Sequence, residues 1–390
     1  MKISPLANQI PDYPFIRVAR ISREVEKRDG ITVINARIGI PDMEAPASVK
    51  KAMSEFVLEE RSTFGYPIDV HPERGIPELV EVIIEHYHIQ HSVTLKPENV
   101  LVTGWTKEIL HNVTRLFDSG IIQIPDPVYP AYEAATILSN HEIKRVRTSA
   151  DSGWLPEFNL SQQDTVAFYF CDPNNPTGSV ADEAYYHSLA EAMRTNDVTG
   201  IFDKAYKDYV FDESTKPVSI TQIPGLIDYG YEIVSFSKHY NFVGIGLGWV
   251  ISSEENIQRW MRFTGQYSQG VEWYKQKAGA FALTSPFVKE EMQDYYETLK
   301  ERRDIFAKGL NDLGLRVELP VATPYLWIKV PDGYDDEDFV LNRLIDKAHV
   351  ALMPGVYFGE NGKGYCRATI FLPKENIEEA LDRISRIRDW

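Results

Sequence analysis

Apolar residues along this chain gather in short runs of strand length, each followed by a loop and then by helical spacing. "NVLVTG" (99–104) ends in glycine and precedes a helical pattern from Lys107 to Phe117. "IIQIPDPVYPAY" (121–132) is an apolar strand broken by prolines, and "TVAFYFCDPNNPTG" (165–178) is a strand running into a turn. "VTGIFDKAY" (198–206) and "YEIVSFSK" (231–238) are two more strands. This alternation predicts an α/β fold with a mostly parallel sheet covered on both faces. In such sheets the loops at the strand ends build the site. After about Thr284 the pattern changes to a long charged helix, "KEEMQDYYETLKERRDIFAKGLNDLG" (289–314). Separate strands "YLWIKV" and "YCRATIFLP" and a closing helix follow, the pattern of a smaller α+β domain. The expected division is an N-terminal segment with part of the small domain (1–45), a large domain (46–285) and a small C-terminal domain (286–390).

Composition narrows the function class. The chain has 390 residues, 43% of them hydrophobic and 25% charged, with a net charge of −16. That is ordinary soluble globular composition, and the acidic balance argues against nucleic acid or an anionic membrane as partner. Cys171 and Cys366 are the only cysteines, so neither a disulfide framework nor a cysteine-rich metal site is expected, and no metal is assigned. "MKISPLANQIPDYPF" lacks an apolar core of signal-peptide length, and no apolar run reaches membrane-spanning length. The expectation is a cytoplasmic enzyme.

The chemistry-bearing residues fall at the strand ends. Taken singly, each has an ordinary explanation. "CDPNNPTG" (171–178) is rich in turn formers. Asp203 in "IFDKAYKDY" could cap a helix. Lys238 in "SFSKHY" could be a solvated surface lysine. Their conjunction is less ordinary. In order and spacing the set resembles the fold-type I pyridoxal-phosphate (PLP) enzymes, specifically the class I/II aminotransferases. "RIGIPDMEAP", "GYPIDVHPERGIPELVEVI", "PDPVYPAY" and "PGVYFGENGKGYCRATI" extend the resemblance over nearly the whole chain. "FDKAYKDYVFDE" and "SFSKHYNFVGIGLGW" most resemble the branch containing LL-diaminopimelate aminotransferase.

The resemblance implies a large domain with a central sheet, a smaller domain, and PLP as cofactor. It assigns Lys238 as the lysine that forms a Schiff base with the PLP aldehyde, freed by the incoming amino acid to move a proton at its Cα. Asp203 is the carboxylate that keeps the pyridine nitrogen protonated. Asn175 and Tyr206 match donors to the ring hydroxyl, and Tyr129 the aromatic stacked on the ring. Thr106 and Lys107, at a helix N-terminus, and Ser235 and Ser237 match the phosphate donors. Arg367 matches the fork that grips the substrate α-carboxylate, with Gly39 closing over it. Tyr66 matches a residue reaching in from a neighbouring subunit, so a homodimer with shared sites is implied.

Three positions depart from the family pattern. Gly246, eight residues after Lys238, stands where the family usually has an arginine paired with the phosphate. Trp105 stands where a small residue is usual. Glu272, in "QYSQGVEWYKQKAG" (266–279), lies in a segment that matches one reaching the partner's active site in the family and usually rich in small polar residues. As a functional residue it would be a carboxylate for a cationic substrate side chain, and otherwise an exposed acid. The missing arginine leaves two readings open. One is an aminotransferase in which another cation, such as Lys107, compensates. The other is a PLP- and oxygen-dependent oxidase or hydroxylase of a basic amino acid such as arginine, which never rests in the untethered amine form of the cofactor. The co-substrate is then a keto acid or O2. A non-enzymatic PLP-binding regulatory domain ranks below both, because it calls for a DNA-binding domain ahead of the aminotransferase-like part.

Overall fold

The computed structural model describes residues 5–59, 74–212, 214–268 and 270–388. Thirteen strands occur among them, in chain order: β1 (Ile34–Asn35), β2 (Val100–Thr103), β3 (Ile121–Asp126), β4 (Glu142–Arg147), β5 (Thr165–Cys171), β6 (Thr199–Asp203), β7 (Gly230–Ser235), β8 (Gly248–Ile251), β9 (Arg316–Val317), β10 (Tyr325–Lys329), β11 (Val350–Ala351), β12 (Met353–Pro354) and β13 (Tyr365–Thr369). Seven of these form the main sheet, in the order β2-β8-β7-β6-β5-β3-β4. Only β8 runs antiparallel to its neighbours. The fold class is α/β, with a central, mostly parallel sheet.

The central strands β3, β5, β6 and β7 read as almost continuous apolar runs because they are covered on both faces; all six residues of β7 are buried. Helices Thr106–Asn112 and Ala131–Leu138 follow β2 and β3, and Glu183–Asn196 follows β5. Asp182 caps the last of these by accepting from the Tyr185 N–H.

The second sheet is antiparallel, in the order β12-β13-β10-β9. The two strands read as separate in the sequence are neighbours in it, with Trp327 opposite Arg367. β1, near the N-terminus, pairs in parallel with β11, near the C-terminus. The charged segment after Thr284 is one helix, Pro286–Asp312, whose inner stripe buries Val288, Met292, Tyr295, Leu299, Phe306 and Leu310. It is separated from the preceding helix, Trp273–Thr284, at Ser285, which is extended before Pro286. One hydrophobic core runs from Val18 through both sheets to Ile384.

No helix among the described residues is long and apolar enough to cross a membrane.

Candidate active site

Three adjacent strand ends converge on one point. Parallel pairing sets Cys171 of β5 opposite Asp203 of β6, and Asp203 opposite Ile233 of β7. Asn175 lies just beyond β5. Lys238 lies in the single helical turn Phe236–His239 directly after β7, where the Ser235 hydroxyl accepts from the Ser237 N–H. These ends open into a cavity of about 390 Å³, within the size range of small-molecule sites. Gly39, Thr106, Lys107, Tyr129, Asn175, Asp203, Tyr206, Ser235, Ser237, Lys238 and Arg367 all line it.

Asp203 forms the floor. Its carboxylate accepts from the Tyr132 hydroxyl at 2.7 Å and from the Ala205 N–H at 3.1 Å. Burial raises its pKa; the Tyr132 and Ala205 hydrogen bonds and the Lys238 charge oppose that shift. Tyr132 is itself fixed by a parallel stack on Tyr169, with ring centroids 4.4 Å apart. Lys238 donates to the Gly39 carbonyl at 2.6 Å. Burial, then the Arg367 charge, lowers its pKa to about 8, against a smaller upward pull from Asp203. The neighbouring Lys204 is no rival: 1% exposed, it is paired with Asp172 at 2.7 Å and lies against Tyr186.

Arg367 forms the opposite wall and is 1% exposed. It donates to the Asn175 side-chain oxygen at 2.6 Å and to the Arg37 carbonyl at 2.8 Å. Its guanidinium carbon lies 4.0 Å from the Tyr325 ring centroid, 4.7 Å from Phe358 and 5.3 Å from Phe15. Burial lowers its pKa, the surrounding tyrosines raise it, and its Nε is buried without a partner. No carboxylate pairs with it among the described residues.

The donor set fits PLP. A buried carboxylate on the cavity floor suits a ring N–H. Lys238 is a desolvated amine, and the Asn175 and Tyr206 side chains can face a ring oxygen. The hydroxyls of Thr106, Ser235 and Ser237, with Lys107, supply neutral and cationic donors for a phosphate. Among the described residues no cluster of His, Cys, Asp or Glu could hold a metal ion.

Two sequence-derived residues stand apart. Glu272 precedes the helix Trp273–Thr284, pairs with Lys275 at 2.9 Å and is 55% exposed. It lines no part of the Lys238 cavity of its own chain. Tyr66 lies outside the described residues. Residues the motifs did not reveal include Tyr13, Phe15 and Tyr325 on the walls and Tyr132 beneath Asp203. Tyr132 was within reach of sequence reasoning, since it closes the "PDPVYPAY" segment that supplied Tyr129.

The two departures at 105 and 246 meet in space. Gly246 has φ 68°, and a Cβ there would lie 2.7 Å from Nε1 and 2.8 Å from Cδ2 of the Trp105 indole.

Comparison with known proteins fits this geometry. The sequence profile described as "Aminotransferase class I and II" matches residues 31–384. LL-diaminopimelate aminotransferase of Moorella thermoacetica is 32% identical over 388 residues, 97% of this chain and 96% of that protein. The enzyme of that name from Aquifex aeolicus is 30% identical over 386 residues, 97% of each chain. Among solved structures, substrate-bound BacF from Bacillus subtilis superposes with TM-score 0.90 at 30% identity, covering 99% of this chain and 98% of that one. Aspartate aminotransferase from Thermus thermophilus with maleate shares the fold, with TM-score 0.88 at 23% identity over 99% of this chain and 100% of that one. These relatives favour the aminotransferase reading over the oxygen-dependent one. The chain belongs to the class I and II aminotransferases, the PLP-dependent family its strand-end residues resemble.

Proposed function

We propose that this chain transfers the amino group of an L-α-amino acid to a 2-oxo acid in the cavity between Lys238 and Arg367. The observation that carries the reading is Arg367. A guanidinium this deeply buried is costly unless an anion meets it, and its nearest neighbours are a neutral amide, a carbonyl and three aromatic rings. A substrate α-carboxylate supplies the missing charge, and the Gly39 backbone closes over it.

PLP, when bound, supplies an aldehyde that condenses with amines and a ring that withdraws electrons from Cα. The chain's own residues do the rest. Asp203, steadied by Tyr132, would hold a proton on the ring nitrogen. Asn175 and Tyr206 would hydrogen-bond the ring oxygen, and Tyr129 would lie against the ring. Thr106, Lys107, Ser235 and Ser237 would receive the phosphate. Lys238, with its pKa lowered to about 8, is the base that would take the proton from the substrate Cα and carry it to the carbon that had been the cofactor's aldehyde.

Two copies form the working unit, with the Glu272 segment directed toward the other copy's cavity. The exposed Trp105 and Tyr267, beside a cleft of about 770 Å³, support such a face. The acidic composition with two cysteines suits a cytoplasmic location.

The test is a pair of half-reactions. Under nitrogen, single amino acids are added to the purified holoprotein, followed by a 2-oxo acid. The cofactor spectrum shifts to the amine form and then returns. A spectrum that changes only in air, with oxygen consumed, contradicts the proposal.

A further inference from the structure

The phosphate end of the cavity differs in kind from the rest of the site. Its hydroxyl donors, on Thr106, Ser235 and Ser237, are neutral. Of the cations that line the cavity, Arg367 is engaged with Asn175 and the Arg37 carbonyl, and Lys238 with the Gly39 carbonyl. Arg37 donates to the Phe15 carbonyl. Lys107 remains. Its ammonium lies 4.6 Å from the centroid of the Tyr13 ring, and no carboxylate pairs with it among the described residues.

Trp105 lies two residues before Lys107. Its indole is 42% exposed and bounds both the Lys238 cavity and the adjoining cleft. The same ring covers Gly246 so closely that a Cβ on that residue would overlap it, Cε2 included. Real Cβ contacts essentially never fall below 3.0 Å, and both ring distances quoted above do. The left-handed φ of Gly246 adds strain for any other residue. A large residue at 105 and the absence of a side chain at 246 therefore form one packing solution.

We propose that Trp105 and Gly246 are a matched pair that closes the 246 side of the site to any side chain, and that Lys107, held over Tyr13, meets the cofactor phosphate in its place. The inference deepens the proposed function and rests on its cofactor site. An ammonium on a flexible stem is a point charge without the fixed fork of a guanidinium. At the surface it is screened by salt. The anchor matters most for pyridoxamine phosphate, which no covalent bond ties to the chain. This form is held more loosely as ionic strength rises, and Tyr13 links the N-terminal segment to its retention.

The test uses full-length apoprotein, with pyridoxamine phosphate as the probe and two readouts, its Kd by titration and the melting temperature without cofactor. Wild-type protein that takes up PLP on Lys238 establishes the site itself; failure there counts against the proposed function and not against the pair. Lys107→Gln, a surface change, is expected to raise the Kd for pyridoxamine phosphate about tenfold with an unchanged melting temperature. Gly246→Arg is expected to lower the melting temperature. Adding Trp105→Ala to it recovers most of the loss relative to Trp105→Ala alone. In the Lys107→Gln background, the Trp105→Ala/Gly246→Arg exchange restores binding of the probe. An unchanged Kd in Lys107→Gln overturns the role of Lys107. A Gly246→Arg protein that melts and binds like wild type overturns the matched pair, as does a double variant no more stable than Gly246→Arg.

Discussion

The two ends of the Lys238 cavity meet charge in different ways. At one end Arg367 is 1% exposed, caged by three aromatic rings and oriented by two hydrogen bonds. At the other, Trp105 is 42% exposed and Lys107 lies at the surface over Tyr13, beside neutral hydroxyls. A buried guanidinium with fixed neighbours is organised before its ligand arrives. An exposed ammonium adapts to its ligand and is screened by salt. On the proposed function, the contrast means that a substrate carboxylate would meet a preformed charge, while the cofactor would be gripped chiefly at the floor, by Lys238 and Asp203, and less firmly at the phosphate.

That division can be broken from the floor first. Asp203→Ala is expected to leave PLP bound but to slow turnover about a thousandfold, because the carboxylate acts on charge that develops during reaction. Near-native turnover in the dialysed holoprotein would remove Asp203 from the account.

Arg367→Ala follows. Loss of a buried charge that pairs with substrate is expected to lower kcat/KM by a few hundredfold, with Arg367→Lys recovering only part because the fork is lost. Amines without a carboxylate that react as well as amino acids would contradict the preformed end.

Lys238 gives a pH test. Its pKa lies near 8, below the usual 10.5 for lysine. Uptake of PLP by the apoprotein needs the free amine, so its rate is expected to rise about tenfold per pH unit below 8 and to level off above it. Between these two values the unfolded chain binds more protons than the folded one. Lys238 therefore makes the apoprotein more stable as pH rises from 8 toward 10. An uptake rate still climbing steeply above pH 9 would mean that Lys238 is not desolvated.

The smallest effect expected is that of Tyr132→Phe. It removes one hydrogen bond that opposes the raised pKa of Asp203. A fall in kcat of about tenfold is expected, with KM for the amino acid unchanged. A change in KM alone would place Tyr132 at the substrate and not behind the floor.

Much of this site was legible in the sequence because the chemistry sits at strand ends. A strand's last residue and the loop after it stay close in space, so Asn175, Asp203 and Lys238 could be read as neighbours once β5, β6 and β7 were recognised as parallel. The strands were legible for the same reason: burial on both faces leaves continuous apolar runs. Contacts made across the fold were not legible. Nothing in "TGWTKE" or "GIGLGW" indicates that Trp105 rests on Gly246, since the packing depends on how β2 and β8 pair and on the backbone angles at 246. Two apparent oddities in the sequence are therefore one feature in the fold. Glu272 is by contrast a local matter: it is the exposed acid that one of its two readings allowed, paired with Lys275 one helical turn away and outside the cavity of its own chain. Tyr13 and Phe15 come from a segment with no strand-end signal and reach the site only because the chain's start packs against Tyr129 and Arg367.

The central claim is that Lys238 is the amine around which the cavity is organised. It is tested most directly by reducing the holoprotein with borohydride and mapping the modified peptide by mass spectrometry. The account predicts a single cofactor adduct, on Lys238, and none on the ion-paired Lys204 or on Lys107. An adduct on another lysine, or no adduct on a protein that carries PLP, would contradict it.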